Sequence, residues 1–301
     1  MIKKGIILAG GYGKRMSPLT KAVNKQLLPI YDKPLIFYPL SVLMLAGIKN
    51  ILIIVNKGQL KQFKKILPNG DNLGVKIAYA EQKYPKGLPE AFIIGKKFIK
   101  KDSVALILGD NFFYGQSLGK KLKKCLSHNK GAKIFVQPVA NPSLYGVAKI
   151  KNKKIFKIIE KPKKFISNLA ITGLYFFDNK VVKYSKNLKP SQRKEIEITD
   201  LLKKYLKNNE LKVEFLRRGS TWLDTGSIKD FYNTSSFVRN IENRQGLKIA
   251  CLEEIAFNNN WISKEKIRNA IKFYGKCDYS KYLHSLISQT KSSINWNVKL
   301  W

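Results

Sequence analysis

The sequence has 301 residues, of which 44% are hydrophobic, enough for one large domain with an appendage or for two ordinary domains. No segment approaches the roughly 18 uninterrupted apolar residues of a membrane span, and the chain runs from Met1 into a strand-like segment rather than a signal peptide. We therefore expect a cytoplasmic protein without a membrane partner. Cys125, Cys251 and Cys277 lie too far apart to suggest a disulfide framework or a zinc site, and are interpreted as packing thiols.

The formal net charge of +37 makes nucleic-acid binding the first function to consider, because basic proteins bind polyphosphates by releasing counterions. Only seven of the 57 basic residues are arginine, however, and the lysines are scattered along almost every surface segment. Lysine, isoleucine and asparagine, all encoded by A- and T-rich codons, are abundant together. We predict no nucleic-acid partner, and a basic nucleic-acid or anionic-surface binder stays as the non-enzymatic alternative.

In chain order, short β-branched runs alternate with segments of helical spacing. The predicted strands are Gly5 to Ala9, Ile51 to Val55, Val75 to Ala80, Val104 to Leu108 and Ile134 to Val136. The predicted helices are Leu35 to Ala46, Gln59 to Leu67, Leu88 to Ile99 and Leu118 to Leu126. This alternation predicts an α/β fold with a central, mostly parallel or mixed sheet.

The pattern changes twice in the second half of the chain. After Pro138 come shorter alternating stretches, which predict an inserted, more antiparallel lobe: Tyr145 to Ile150, Ile155 to Glu160 and Leu169 to Phe177. From Ile228 onward helical patterns dominate: Phe231 to Glu242, Leu252 to Asn258, Lys264 to Phe273 and Tyr279 to Ser288. We predict one domain over residues 1–227 and a C-terminal helical appendage over residues 228–301.

A glycine-rich segment follows the first predicted strand, with the sequence Gly10-Gly11-Tyr12-Gly13-Lys14-Arg15. Glycine tolerates positive φ and has no Cβ, so such a bend lets backbone N–H groups approach phosphate oxygens. The spacing fits neither the P-loop nor the dinucleotide-binding fingerprint. It predicts a phosphate loop of another type that carries its own cations, with an ordinary glycine turn as the alternative.

Two aspartates are predicted at strand ends. Asp110 follows the apolar run from Val104 to Leu108, and Asp224 follows an aromatic-aliphatic pair. Open α/β sheets bind ligands at the carboxyl ends of their strands, and Mg²⁺ prefers one or two carboxylates together with substrate phosphates. Either aspartate alone is more often a cap or turn residue.

Several motifs together resemble the sugar-nucleotide pyrophosphorylases, a family of sugar nucleotidyltransferases, and most closely its glucose-1-phosphate thymidylyltransferases. They are the glycine-rich segment, Lys25-Gln26-Leu27-Leu28-Pro29-Ile30-Tyr31-Asp32-Lys33-Pro34, Ala80-Glu81-Gln82, Gly87-Leu88, Leu108-Gly109-Asp110-Asn111, Tyr145-Gly146-Val147, Glu160-Lys161-Pro162, Thr172-Gly173-Leu174-Tyr175 and Trp222-Leu223-Asp224-Thr225-Gly226. The resemblance covers nearly all of residues 4–288.

The resemblance implies a Rossmann-like nucleotidyltransferase fold, with a nucleotide-binding part over residues 1–137, a sugar-binding part over residues 138–227, and a C-terminal appendage with a regulatory or oligomer-interface role. It implies transfer of a thymidylyl group from dTTP to glucose 1-phosphate, with release of pyrophosphate, as the first step toward dTDP-rhamnose-type sugars. Use of UTP or of another hexose 1-phosphate is the second enzymatic alternative. It also implies a homo-oligomer, commonly a tetramer.

The family's functional residues carry over onto matching positions of this sequence. Catalytic roles fall on Arg15, Lys25 and Lys161. Nucleotide-binding roles fall on Leu8, Gly10, Gly11, Gly13, Arg15, Lys25, Gln26, Gln82, Gly87 and Asp110. Sugar-phosphate-binding roles fall on Asn111, Tyr145, Gly146, Glu160, Lys161, Ile171 and Arg193. Asp110 and Asp224 are expected to bind Mg²⁺.

Four positions depart from the family pattern. Asn258 stands where an arginine is expected in the segment that resembles the family's feedback-inhibitor site, so weakened feedback inhibition is expected. Tyr12 and Lys14 stand where a small residue and a threonine are usual, so a hydroxyl donor to the triphosphate is replaced by a charge. Activity is expected to be retained, with altered nucleotide affinity. Lys194 stands where a glycine usually follows the arginine, which weakens the assignment of Arg193.

Overall fold

The computed structural model describes residues 1–127 and 130–288. Its strands are β1 Lys4–Ala9, β2 Pro29–Ile30, β3 Lys33–Pro34, β4 Asn50–Asn56, β5 Lys76–Gln82, β6 Val104–Leu108, β7 Asn111–Gly115, β8 Ala132–Pro138, β9 Gly146–Lys151, β10 Lys154–Glu160, β11 Leu169–Phe177, β12 Leu211–Phe215 and β13 Ser220–Asp224. Its α-helices are α1 Phe37–Ala46, α2 Leu60–Ile66, α3 Glu90–Ile94, α4 Lys96–Ile99, α5 Leu118–Cys125, α6 Lys180–Lys186, α7 Ile198–Lys207, α8 Ile228–Gln245, α9 Leu252–Asn258, α10 Lys264–Tyr274 and α11 Asp278–Ser288.

A nine-stranded sheet forms the centre of the molecule, with the order β10-β9-β11-β6-β1-β4-β5 and with β8 and β12 attached beside β11. The strands β6, β1, β4 and β5 run parallel to one another. The five residues from Gly5 to Ala9 in β1 are all buried, as are those from Ile51 to Asn56 in β4, because helices cover both faces of this part. The predicted α/β fold with a mostly parallel or mixed sheet is confirmed.

The strands predicted as an inserted lobe continue this same sheet. β11 pairs antiparallel with β6 and also with β8 and β9, and β9 pairs antiparallel with β10. The predicted antiparallel character is therefore present, and backbone hydrogen bonds join it directly to the parallel half. A separate antiparallel ribbon pairs β7, which follows β6 in the chain, with β13, which follows β12, and Asp224 lies at its end.

The long buried elements match their predictions best. The observed β6, β11 and α9 have the predicted bounds. The single helix predicted from Leu88 to Ile99 is instead divided into α3 and α4 at Gly95, where a Cβ atom would lie 2.9 Å from the Ala91 carbonyl oxygen and from the Ile6 side chain. The elements α6, α7 and β12 were not predicted.

The C-terminal helices pack through buried carboxylates. Tyr274 and Tyr279 donate hydrogen bonds from their hydroxyls to Glu253 on α9, at 2.9 and 2.7 Å. The Tyr282 hydroxyl donates to the second carboxylate, Glu254, at 2.9 Å. These bonds fasten α10 and α11 to α9, which itself contacts α1. Within the described residues, no helix combines the length and apolar character needed to cross a membrane.

Candidate active site

The glycine-rich bend after β1 is held by side chains of neighbouring segments. The Gly11 N–H donates to Asn56 Oδ1 and the Asn56 amide donates back to the Gly11 carbonyl, both at 2.9 Å. Gly11 and Gly13 have φ values of 104° and 58°, which favour glycine. A Cβ atom at Gly10 would lie 2.2 Å from Gln82 Oε1, so this position also requires glycine as the site stands. The bend is therefore a fixed backbone surface at the carboxyl end of β1.

Lys25 and Asp110 form an ion pair beside this bend. Lys25 Nζ lies 2.8 Å from Asp110 Oδ2, and the Lys25 side chain is only 7% exposed. Asn111 donates from its amide to the other carboxylate oxygen at 3.0 Å. Burial raises the pKa of Asp110, but Lys25 outweighs it, so the net pKa lies below the usual aspartate value. Asp110 is consequently ionised at neutral pH.

Asp224 reaches the same place from β13. Its neighbour Thr225 donates to the Asp110 carbonyl from its backbone N–H at 3.1 Å and from its hydroxyl at 2.8 Å. Burial and the negative charge of Asp110 raise the pKa of Asp224 to about 6, while Lys25 and Arg15 act in the opposite direction. The predicted convergence of the two aspartates is thus present in the structure.

Asp110 and Asp224 could together hold a divalent cation. Two nearby anions, of which Asp224 has a raised pKa, favour a cation between them. Across residues 1–127 and 130–288, no group of three or more His, Cys, Asp or Glu side chains could hold a metal ion. A divalent ion of the kind that takes one or two carboxylates together with substrate phosphates, such as Mg²⁺, would need only this pair from the protein.

Arg15 approaches the aspartates from the short 3₁₀ turn Lys14–Met16. A Cβ atom at Gly226 would lie 2.7 Å from Arg15 Nη2 and 3.0 Å from Asp224 Oδ2. Because glycine has no side chain, the backbone at Gly226 can lie against both Arg15 and Asp224. The site combines a cation and two carboxylates around one point.

A cavity of about 300 Å³ opens beside these groups and extends to the antiparallel half of the sheet. Its lining includes all seven predicted sugar-side residues and four predicted for the nucleotide or the metal: Asn111, Tyr145, Gly146, Glu160, Lys161, Ile171 and Arg193, together with Arg15, Gly87, Asp110 and Asp224. The remaining predicted residues lie outside this lining, at the bend or behind it: Leu8, Gly10, Gly11, Gly13, Lys25, Gln26 and Gln82.

Two glutamines predicted to bind the nucleotide are buried. Gln82 ends β5 and donates from its amide to Glu90 at 2.6 Å. Gln26 is 4% exposed, and its Oε1 is buried without a hydrogen-bond partner among the described residues. A buried amide oxygen without a hydrogen-bond partner costs free energy. The Gln26 oxygen can therefore still accept a hydrogen bond, next to Gly109.

Charged side chains surround the far end of the cavity. Arg193 Nη2 lies 3.2 Å from Glu160 Oε1 and 2.7 Å from Glu197 Oε2. Burial and the charge of Glu197 raise the pKa of Glu160, and Arg193 partly offsets them. Lys161 holds an uncommon backbone conformation with φ of 41°, and its N–H donates to the Tyr145 carbonyl at 3.0 Å. Cations and hydrogen-bond acceptors therefore face the same space.

Asn111 also supports the architecture. Its Oδ1 accepts hydrogen bonds from the Gly173 N–H at 3.0 Å and from the Trp222 indole at 2.6 Å. Trp222 packs edge-on against Tyr145, with ring centroids 5.1 Å apart. The amide thus joins the sugar side of the cavity to the ribbon that carries Asp224.

Sequence reasoning did not assign a role to several lining residues, namely Leu88, Tyr175, Glu197, Thr199, Trp222 and Asp230. Trp222 lies in a motif that was recognised, two residues before Asp224. Leu88 and Tyr175 also lie in motifs that were recognised, Gly87-Leu88 and Thr172-Gly173-Leu174-Tyr175. Glu197, Thr199 and Asp230 carry no local signal, because only the fold brings them to the cavity.

The comparisons with known proteins agree with this geometry. The sequence profile of the nucleotidyl transferase family matches residues 4–241. The chain belongs to this family. It is 49% identical to a glucose-1-phosphate thymidylyltransferase of Neisseria meningitidis, over 95% of this chain and 100% of the relative. It is 46% identical to the enzyme of the same description from Mycobacterium tuberculosis, over 95% of this chain and 99% of the relative.

Solved structures show the same fold. A protein from Bacillus anthracis assigned as a glucose-1-phosphate thymidylyltransferase, in complex with sucrose, is 37% identical with a TM-score of 0.73, covering 79% of this chain and 95% of that one. A UDP-glucose pyrophosphorylase complexed with UDP-glucose is 27% identical with a TM-score of 0.70, covering 80% and 100%. The expected relationship to the sugar nucleotidyltransferases is confirmed.

Proposed function

We propose that the protein transfers a thymidylyl group from dTTP to α-D-glucose 1-phosphate, giving dTDP-glucose and pyrophosphate. One observation carries this proposal: the two aspartates and Arg15 meet at one end of a cavity whose other end is lined by Glu160, Lys161 and Arg193. The names of relatives that match over nearly their full length support the same reaction.

The reaction joins two polyanions, so their repulsion is the main obstacle. A phosphate oxygen of the sugar attacks the α-phosphorus of dTTP; this P–O bond forms while the bond from the α-phosphorus to the bridging oxygen breaks, and the electron pair leaves with pyrophosphate. Such in-line transfer depends on alignment and charge neutralisation more than on proton transfer. The cavity lining offers cations for this neutralisation, namely Arg15, Lys161 and Arg193.

On the nucleotide side, the bend at Gly10, Gly11 and Gly13 offers backbone donors, and Arg15 offers a guanidinium to the triphosphate. Lys25 is already paired with Asp110, which fixes its ammonium group close to the bend. Asp110 and Asp224 would hold Mg²⁺, which when bound neutralises phosphate charge and polarises the phosphoryl group.

On the sugar side, Lys161 and Arg193 would bind the phosphate, and Glu160 would accept hydrogen bonds from sugar hydroxyls. Tyr145, Gly146 and Ile171 shape this end of the cavity, and Asn111 lies between the two sides. Gln82 and Gly87 would face the base. A Cβ atom at Gly87 would lie 2.1 Å from the Ile196 carbonyl oxygen, so the base side and the sugar-phosphate side are in backbone contact there.

Uridylyl transfer is the second candidate, because a UDP-glucose pyrophosphorylase shares the fold with a TM-score of 0.70. The two substrates differ by one methyl group and one hydroxyl, and a difference of that size is decided by the shape of the pocket. The higher identity to the thymidylyltransferases favours dTTP.

The test is pyrophosphate release from glucose 1-phosphate and Mg²⁺ with dTTP or UTP as the nucleotide. We expect the higher kcat/KM with dTTP, and a loss of about 10² to 10³ in rate for Arg15→Ala, the scale of a single charge-stabilising donor. Lys21→Ala, an exposed cation six residues away, is the matched control. Higher kcat/KM with UTP would select the second candidate, and salt-sensitive DNA binding without pyrophosphate release would select the non-enzymatic one.

The cellular context belongs to the same proposal. A cytoplasmic homotetramer that makes the first intermediate of dTDP-rhamnose-type sugars is consistent with the family resemblance. Light scattering on the purified protein tests the oligomeric state, with a tetramer as the expected mass.

A further inference from the structure

Glu197 is a buried carboxylate at the edge of the cavity, directly before α7. Its side chain is 9% exposed, and it accepts hydrogen bonds from Arg193 Nε at 3.1 Å and from Arg193 Nη2 at 2.7 Å. Ser191 donates from its hydroxyl to the same carboxylate at 2.7 Å. A bidentate contact of this kind fixes the plane of the guanidinium as well as its position.

The use of Glu197 for this contact is unusual for its place in the chain. Glu197 occupies the N-cap of α7, where an acidic side chain ordinarily accepts a hydrogen bond from the first turn of the helix. Here the side chain makes no capping hydrogen bond. The carboxylate is instead directed to Arg193 and Ser191, so its burial serves the arginine rather than the helix.

The remaining surface of Arg193 is available to a ligand. The side chain is 40% exposed and lines the cavity. Within the described part of the chain, hydrogen bonds are found for Nε and Nη2, while Nη1 has none. Glu160 accepts only the longer contact, 3.2 Å from Nη2.

We propose that Glu197 is a positioning residue for the acceptor substrate: it holds Arg193 so that Nη1 meets the phosphate of the sugar phosphate and Glu160 stays free for the sugar hydroxyls. This inference deepens the proposed function and rests on it. Without the charge of Glu197, Glu160 becomes the main carboxylate partner of Arg193. The guanidinium then shifts onto the carboxylate that the sugar needs, and both sugar-side contacts weaken together.

The experiment measures KM for glucose 1-phosphate and for dTTP in Glu197→Gln, which keeps the shape of the side chain and removes its charge. We expect KM for glucose 1-phosphate to rise by about 10-fold to 100-fold, the scale of a misplaced binding group, with KM for dTTP within about twofold of the wild type. Asp200→Asn is the control: it removes the same charge in the first turn of α7, where the carboxylate pairs with Lys203 at 2.8 Å.

A double-mutant comparison separates positioning from a general structural role. If Glu197 acts through Arg193, adding Glu197→Gln to Arg193→Ala changes KM for glucose 1-phosphate no further. Unchanged KM in Glu197→Gln, or effects of the two substitutions that multiply, would overturn the inference. If Glu197→Gln does not fold, Ser191→Ala decides, since it removes only the hydroxyl donor and is expected to raise the same KM by a smaller factor.

Failure of the proposed function gives a different result from failure of this inference about Glu197. A wild type without turnover contradicts the assigned reaction. Titration calorimetry with glucose 1-phosphate then measures the same positioning effect directly, as weaker binding to Glu197→Gln than to the wild type.

Discussion

The two sides of the cavity are built in different ways. The nucleotide side lies at the carboxyl ends of parallel strands, where Lys25 is 7% exposed and pairs with Asp110. The sugar side lies on the antiparallel strands and the loop before α7, where Arg193 is 40% exposed and shared between two carboxylates. The first side is fixed by buried pairs and backbone hydrogen bonds, and the second by partly exposed side chains.

This difference implies different responses to substitution. Removing one member of a buried ion pair leaves the other charge uncompensated in the protein interior. Removing one member of an exposed network leaves charges that water and the remaining partners can solvate. We therefore expect substitutions in the buried Lys25–Asp110 pair to cause the largest loss of rate and those on the sugar side to weaken the binding of one substrate selectively.

The largest effect is expected for Asp110→Asn. This change removes one of the two paired carboxylates and leaves the Lys25 ammonium without its anion, so kcat should fall by about 10³ or more, the upper range for removal of a charge-stabilising group. Steady-state pyrophosphate release measures it. Asp102→Asn, an exposed carboxylate paired with Lys4, serves as the control and should retain wild-type turnover. A fall of less than tenfold in Asp110→Asn would remove the contrast between the two sides.

A smaller effect concerns the pH dependence of Mg²⁺ binding. Asp224 has a pKa of about 6 against 3.8 for an ordinary aspartate, so between these values the folded protein binds more protons than the unfolded chain. The contribution of this group to stability is therefore present below pH 3.8 and is lost as pH rises through about 6. Mg²⁺ replaces the lost proton, so it should raise the unfolding midpoint more at pH 7.5 than at pH 5.

Thermal unfolding with and without Mg²⁺ at both pH values tests this expectation. Asp224→Asn should remove most of the difference between the two pH values. If Mg²⁺ raises the unfolding midpoint of the wild type equally at both pH values, binding of the ion is not coupled to the protonation of Asp224.

The smallest effect is expected for Lys14→Thr. Lys14 lies on the exposed turn that carries Arg15, so its charge acts on the triphosphate through water rather than through a buried contact. We expect kcat to stay within about threefold, with a change in KM for dTTP that diminishes at high salt. KM for dTTP, measured for the wild type and for Lys14→Thr at low and at high salt, checks this. Turnover by Lys14→Thr with none by the wild type would contradict it.

Much of the fold could be predicted from the sequence because its central strands are continuous apolar runs. The run from Val104 to Leu108 is apolar at every position and shorter than a typical helix, which favours a buried strand. It forms β6 with the predicted bounds. Gly95, by contrast, was not recognised as a break, because the space that it leaves is occupied by Ile6 from another part of the chain.

The candidate site was predictable to the extent that it depends on strand ends and recognised motifs. Asp110 and Asp224 could be expected to meet, since each follows a strand. The pairing of Arg193 with Glu197 could not, because Arg193 precedes α7 and helical spacing does not apply to it. Lys25 was predicted only from the motif in which it lies, and its buried ion pair with Asp110 was not predicted.

The strand β11 has a consequence for how this protein can respond to its ligands. It pairs with β8 along one edge and with β6 and β9 along the other, so a single strand belongs to both walls of the cavity. A hinge-like rotation of one wall against the other would break these main-chain bonds. We therefore expect any closure around a ligand to involve the connecting loops rather than a rotation of the sheet.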